Sequence, residues 1–134
     1  MRLGAYQFAV NGNIQDNLAK IRDAVCRSAE SGVRLLVFPE CALTGYPPRD
    51  IPSSESVDFV LLDGAHNELQ KLADRFALYL IVGTMTKAED SIFNTALCFS
   101  LGSRPLHIAN VPSGAGIGTT SFLETNPESW KSTG

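Results

Sequence analysis

The chain has 134 residues, of which 44% are hydrophobic, with a formal net charge of −3 and a mean hydropathy near zero. This length and composition suffice for one domain with a core, while interspersed charges form neither a basic stripe for nucleic acid nor a polybasic membrane anchor. The amino terminus lacks an apolar segment with a cleavage site, and no apolar run approaches a membrane span, so we expect a cytoplasmic protein with small-molecule partners, no nucleic acid and no membrane.

The cysteines are three in number and widely spaced, at Cys26, Cys41 and Cys98, without a CxxC pair. An odd, dispersed set argues against both a disulfide framework and a structural zinc site. We therefore expect free thiols in a reducing compartment and no metal site.

The first predicted elements form a strand–helix–strand unit. Residues 2–10 combine β-forming residues with partial alternation and predict a strand that ends at the turn-forming residues 11–13. From Asp16 onward, apolar residues recur every three or four positions and predict an amphipathic helix of about four turns ending near Gly32. Residues 33–40 read VRLLVFPE, a short apolar run typical of a strand buried on both faces and ended by Pro39.

The remaining elements continue this alternation after a loop over residues 41–56. A second helical stripe is formed by Leu62, Ala65, Leu69, Leu72, Ala73 and Phe76. Residues 78–85 predict another buried strand, residues 91–100 a further strand, and residues 101–108 a turn into a last short strand, added like a hairpin. This order predicts a layered α/β domain with its ligand chemistry at the carboxyl edge of the strands.

Glu40 is the most informative polar residue, because it follows an apolar strand and a proline at that edge of the sheet. A carboxylate held there in a partly dry setting can take a proton from a nucleophile. The alternative is a solvated loop acid.

The stretch VFPECALTGYPPRD around Glu40 resembles the first catalytic motif of the nitrilase, or carbon-nitrogen hydrolase, superfamily. The segments AYQFAV, NGNIQDNLAKI, LYLIVGT and IFNTALCFS resemble further parts of that family in the same order, so the resemblance covers residues 1 to about 108. GYPPRD also resembles the glutaminase domain of glutamine-dependent NAD synthetase, which belongs to the same superfamily. The resemblance implies the α/β, layered nitrilase-type sheet, here half of an α-β-β-α sandwich.

The resemblance also implies an activity, the hydrolysis of a non-peptide amide or nitrile C–N bond without a cofactor. Family members use a Glu as general base, a Cys as nucleophile and a Lys that stabilises the oxyanion, and they commonly assemble into homo-oligomers. Only the Glu matches a residue here, Glu40. The Lys belongs to a YRK-like motif after the last predicted strand, and the Cys lies further on, so we expect the chain as printed to be inactive.

Two further residues match family positions near the substrate pocket. The resemblance implies that Tyr46 is a possible pocket wall and that Asn94 is a polar strand residue that holds the loops. Plain packing is the alternative for both. The alternative for the whole chain is a non-catalytic α/β module that binds a partner or forms a subunit interface.

The other reactive side chains have no spacing that indicates catalysis, and we expect them to be packed or solvated; they are Cys26, Cys41, Cys98, His66, His107 and Lys87. Cys41 follows Glu40 directly, and neighbours in an extended segment point to opposite sides. We therefore expect Cys41 to be a packed small residue rather than a nucleophile. The glycine-rich run GAGIG at residues 114–118 lacks the strand and helix that a dinucleotide fingerprint requires.

The periodic pattern stops near residue 108, and we interpret residues 109–134 as an irregular tail translated out of frame after a one-nucleotide frameshift. Joining the third base of each codon to the first two of the next, from His107 onward, permits the sequence YRKRALWGWDRDNFLPGNKSG. This sequence begins with the YRK motif at the place where the family's Lys is missing. The alternative is a genuine terminal loop rich in Gly, Ser and Thr.

Resequencing the coding DNA around the His107 codon tests this interpretation. We expect a one-nucleotide insertion or deletion, and restoring the frame should return the Lys and, further downstream, the Cys. An in-frame tail with no family-like downstream reading frame would refute the frameshift.

Overall fold

The computed structural model describes residues 1–113, so residues 114–134, which contain most of the predicted tail and the GAGIG run, lie outside the described residues. The described elements are, in chain order, β1 (Leu3–Ala5), α1 (Ile14–Glu30), β2 (Leu35–Val37), a 3-10 turn (Ser54–Ser56), α2 (Phe59–Phe76), β3 (Tyr79–Ala88), β4 (Ser91–Phe99) and β5 (Leu106–Pro112). Within residues 1–113, neither helix combines the length and the apolar character that crossing a bilayer requires.

The five strands form one sheet in the order β1-β2-β3-β4-β5. β1, β2 and β3 are parallel, whereas β3–β4 and β4–β5 are antiparallel pairs. The predicted mixed α/β fold is therefore confirmed, including the hairpin-like addition of the last strand. The two crossovers through α1 and α2 advance in the same direction along the sheet, and right-handed crossovers of this kind place both helices on one face.

Both helices begin at a side-chain cap that the sequence supplies. Asn13 Oδ1 accepts a hydrogen bond from the Asp16 backbone N–H at 3.0 Å, and Asp58 Oδ1 accepts one from the Leu61 N–H at 3.0 Å. At the other end of α2, Ala77 adopts a left-handed conformation with φ of 51° and closes the helix.

The buried faces of the helices follow the apolar stripes read from the sequence. Ile21 and Val25 of α1 and Leu62 and Leu69 of α2 are fully buried and share one core cluster with the strand residue Leu80. Burial of such side chains contributes about 1.5–3 kcal/mol each. The helix-facing side of the sheet thus holds most of the core.

Two strands differ in extent from the sequence prediction. β1 ends at Ala5 rather than at residue 10, because β2 ends at Val37 and the Tyr6 N–H makes the last bond to the Val37 carbonyl at 2.9 Å. β5 continues to Pro112 and so includes residues 109–112, which the sequence analysis assigned to the tail. Pairing with β4 extends this strand.

The side of the sheet opposite the helices carries two rows of apolar side chains that start at Leu3 and Ala5, and these two rows are called the open face here. They consist of Leu3, Ala5, Leu35, Val37, Tyr79, Ile81, Cys98 and Leu106. Burial of β2 on both faces was expected, but only Leu36, on the helix side, is buried. Leu35 and Val37 are half-buried because no described helix covers the open face. Leu3 and Leu106 are more than 60% exposed. Neighbouring exposed apolar side chains are typical of a surface that contacts another protein.

We expect the chain to self-associate through the open face. Ile81→Lys places a charge in the middle of that face and should weaken association, because the charge would have to be desolvated in the contact. Val60→Lys is the matched control, since Val60 of α2 is 85% exposed and lies outside the open face. Sedimentation velocity over a concentration series measures the effect, and a wild-type chain that sediments as a monomer throughout would contradict the expectation.

Candidate active site

The site is built where the chain leaves β2. The Phe38 N–H still bonds the Ile81 carbonyl of β3 at 2.9 Å, and the Leu43 N–H bonds the Gly83 carbonyl at 3.2 Å. Between these two bonds the chain bulges away from the ladder as a turn that contains Glu40. The strand therefore fixes both ends of the turn.

Gly83 of β3 lies directly beneath this turn. A Cβ at Gly83 would lie 2.3 Å from the Pro39 carbonyl oxygen, 2.5 Å from the Cys41 nitrogen and 2.7 Å from the Glu40 Cα. These distances are shorter than any ordinary contact, so only glycine allows the turn to rest on the strand. This role of Gly83 was not predicted from the sequence, although a glycine inside a strand pattern signals a close backbone approach.

Asn94 of β4 meets the Glu40 side chain from the neighbouring strand. Its Nδ2 donates to Glu40 Oε1 at 2.5 Å, and its Oδ1 lies 3.5 Å from the Cys41 Sγ. A carboxylate can only accept hydrogen bonds, so the amide nitrogen must face it. The structure thus brings together Glu40 and Asn94, which the sequence analysis singled out separately.

Glu40 itself is exposed, which differs from the partly dry setting expected from the sequence. The turn projects on the same side of the sheet as the open face, and no described helix covers that side. The carboxylate therefore keeps access to solvent within residues 1–113.

Cys41 is placed as a packed residue rather than as a nucleophile. It is 1% exposed, and burial, followed by the negative charge of Glu40, raises the pKa of its thiol to about 12. A thiol with such a pKa stays protonated and unreactive. The prediction that Cys41 is packed assumed that it lies in an extended segment, and this assumption was wrong. Cys41 adopts a left-handed turn conformation with φ of 50°.

A cavity of about 520 Å³ adjoins Glu40 and is lined by Gln7, Phe8, Ala9, Val10, Pro39, Glu40, Tyr46 and Arg49. Tyr46 is thus placed beside Glu40 in the cavity lining, where its role as a pocket wall stays a prediction. The Tyr46 backbone N–H donates to Asp50 Oδ2 at 2.8 Å, which holds this part of the lining.

Arg49 adds a positive charge to the cavity that the sequence analysis missed. Its Nη2 donates to Asp50 Oδ2 at 2.7 Å and its Nε contacts both carboxylate oxygens at 3.1 Å. The Arg49 guanidinium, followed by the Tyr46 N–H, holds the pKa of Asp50 below its usual value. Among the described residues that line the cavity, Arg49 is thus the cation and Glu40 the carboxylate, and Arg49 is paired with Asp50 rather than with Glu40.

The remaining candidates lie away from this cavity. His66 of α2 forms a 2.8 Å hydrogen bond with the Thr84 hydroxyl, and burial lowers the pKa of its imidazole to about 4, so it is a neutral structural residue at pH 7. Lys87 lies 5.9 Å from the centre of the Phe59 ring. Residues 1–113 hold no group of three or more His, Cys, Asp or Glu side chains that could bind a metal ion.

Comparison with protein families gives a match to the family described as Carbon-nitrogen hydrolase over residues 2–110. Two curated relatives are a glutamine-dependent NAD(+) synthetase from Synechocystis sp., 31% identical over 100 residues, and a protein N-terminal amidase from Schizosaccharomyces pombe, 30% identical over 92 residues. The matches cover 68% and 62% of this chain.

Among solved structures, an amidase from Nesterenkonia sp. is similar, with 28% identity and a TM-score of 0.62 over 79% of this chain. The matched part corresponds to 40% of that amidase, 17% of the synthetase and 31% of the N-terminal amidase. The chain therefore spans less than half the length of each of these relatives.

Gly83→Ala tests how the turn is held. We expect a loss of about 1–3 kcal/mol in the free energy of unfolding, because the new methyl group forces the backbone of the turn away from β3. Gly64→Ala is the matched control: Gly64 lies inside α2 with open space at its Cβ position, and alanine there should stabilise by about 0.5–1 kcal/mol. Urea denaturation at one fixed protein concentration measures both, and equal effects of the two substitutions would contradict the close approach.

Proposed function

The chain belongs to the carbon-nitrogen hydrolase family, and from this premise we propose that it supplies the general-base part of an amidase-type active site. The single observation that carries the proposal is the Glu40 carboxylate, held by Asn94 at the edge of a cavity. The complete protein would hydrolyse a non-peptide C–N bond in a small amide or nitrile-type substrate. No cofactor is part of this proposal.

The proposed chemistry is acyl transfer to a thiol. Glu40 accepts the proton of the family's Cys thiol, and the thiolate attacks the carbonyl carbon of the amide. The negative charge that forms on the carbonyl oxygen is stabilised by the family's Lys. Glu40 returns this proton to the nitrogen as the C–N bond breaks, so an amine or ammonia leaves and a thioester remains. Water then hydrolyses the thioester to a carboxylic acid and the free thiol.

The substrate class is supported by the cavity and by the relatives. A volume of about 520 Å³ falls in the range of roughly 300–1,000 Å³ that is usual for small-molecule sites. Two of the relatives are amidases by name, and the third is a glutamine-dependent synthetase. Within the family, the GYPPRD segment favours a glutaminase-type domain as the narrower alternative.

The chain as printed contributes only Glu40 of the three catalytic groups, so we propose that it is a fragment without activity of its own. The Lys and the Cys would come from the restored downstream reading frame. An intact protein is proposed to be a cytoplasmic homo-oligomer. A non-catalytic module that binds a partner through the open face is the second candidate, favoured by the exposed Leu3 and Leu106.

Assays of ammonia release from a panel of small carboxamides separate these two candidates. The 134-residue chain should show no turnover. The chain extended by the restored downstream sequence should hydrolyse at least one of the carboxamides. A module would gain nothing on extension, so an inactive, folded extended chain would overturn the amidase proposal.

Glu40→Gln in the extended chain should lower kcat by about 100- to 10,000-fold, because an amide cannot accept the thiol proton. The fold should be kept, since glutamine has nearly the same shape as glutamate. Glu55→Gln is the control, because Glu55 is an exposed acid of the 3-10 turn and does not line the cavity. Circular dichroism checks the fold of both variants, and a near-normal rate in Glu40→Gln would assign Glu40 to structure instead.

A further inference from the structure

We propose that Asn94 is a positioning residue that fixes which carboxylate oxygen of Glu40 is free to accept a proton; this inference rests on the proposed function. Nδ2 of Asn94 donates to Oε1 of Glu40 at 2.5 Å. Within residues 1–113, no residue forms a hydrogen bond with Glu40 Oε2. One oxygen is therefore occupied, and the other remains available as the base.

Asn94 is suited to this role because its own position is fixed from several sides. It lies in β4, an interior strand of the sheet, where it pairs with Met85 of β3 and Val111 of β5. Its Oδ1 lies 3.5 Å from the Cys41 Sγ, whose S–H can donate to it, so both ends of the amide have a partner. The contact with Cys41 therefore orients the amide with its nitrogen toward Glu40.

Glu40, in contrast, cannot orient itself. Its side chain is exposed and has three rotatable bonds, and the turn fixes only its backbone. A base that samples several rotamers is in the productive geometry for only part of the time. The bond from Asn94 removes this freedom and holds the carboxylate beside β4.

Among the described residues that line the cavity with Glu40, Arg49 is the other charged one, and it does not replace Asn94. Its Nε and Nη2 are engaged by the Asp50 carboxylate, and no hydrogen bond joins Arg49 to Glu40. Arg49 therefore acts on Glu40 through charge alone, which attracts the carboxylate without selecting one oxygen.

The test compares Asn94→Asp and Asn94→Ala in the extended chain. Aspartate keeps the size of asparagine and an acceptor for the Cys41 thiol, but it loses the donor and places a second carboxylate beside Glu40. Both variants should lower kcat by about 10- to 100-fold, with aspartate at least as damaging as alanine, while KM changes by less than about threefold. Cys98→Ala is the control, because Cys98 lies on the same face of β4 and does not contact Glu40; its kcat should stay within about twofold.

The outcomes separate the inference from the function on which it rests. An extended chain that is active and keeps its kcat in Asn94→Asp would overturn the positioning role and leave the amidase function standing. A loss of kcat in Asn94→Ala but not in Asn94→Asp would show that Asn94 acts through packing. This result would also overturn the positioning role. An extended wild-type chain that is folded and inactive would overturn the proposed function, and the positioning role with it.

Discussion

The handedness of the two crossovers is the constraint on which the rest of this structure depends. Strands β1, β2 and β3 are parallel and follow one another in order, so right-handed connections carry α1 and α2 over the same face. That face becomes the core, with Leu36 and Leu80 beneath the helices. On the opposite face, the apolar side chains of β1 and β2 stay outside this core, and the turn with Glu40 projects on that side.

The candidate site combines two kinds of restraint on one residue. The backbone of Glu40 is fixed by packing, because Gly83 has no side chain and the turn rests on β3. The carboxylate is fixed by a hydrogen bond, because Asn94 reaches it from β4. Backbone and side chain are thus held by two different strands of the same sheet, which is how a rigid scaffold can orient a reactive group on a turn.

The features that could be predicted from the sequence are those with a local signal. The stripe that includes Ile21 in α1 and Leu69 in α2 predicted both helices, and the apolar runs predicted the parallel strands. An apolar run such as β2 has the same pattern whether one face or both are covered, so the run alone does not predict the open face. The half-sandwich that the family resemblance implies does predict it, because the second layer is absent from that half. Gly83 inside a strand pattern does signal a close backbone approach. The partner of Gly83 and Asn94, the turn after β2, could not be predicted, because these contacts join distant parts of the chain.

The pairing of Glu40 with Asn94 has a consequence for the synthesis of the protein. The two residues are 54 positions apart in the chain. At a ribosomal rate of about 5–20 residues per second, Glu40 is made roughly 3–10 s before its partner. The nascent chain can close the β1–β2 pair in that interval, but the carboxylate has no donor until the β3–β4 hairpin has been made and has docked. The site is therefore assembled late, after the elements that surround it have begun to fold.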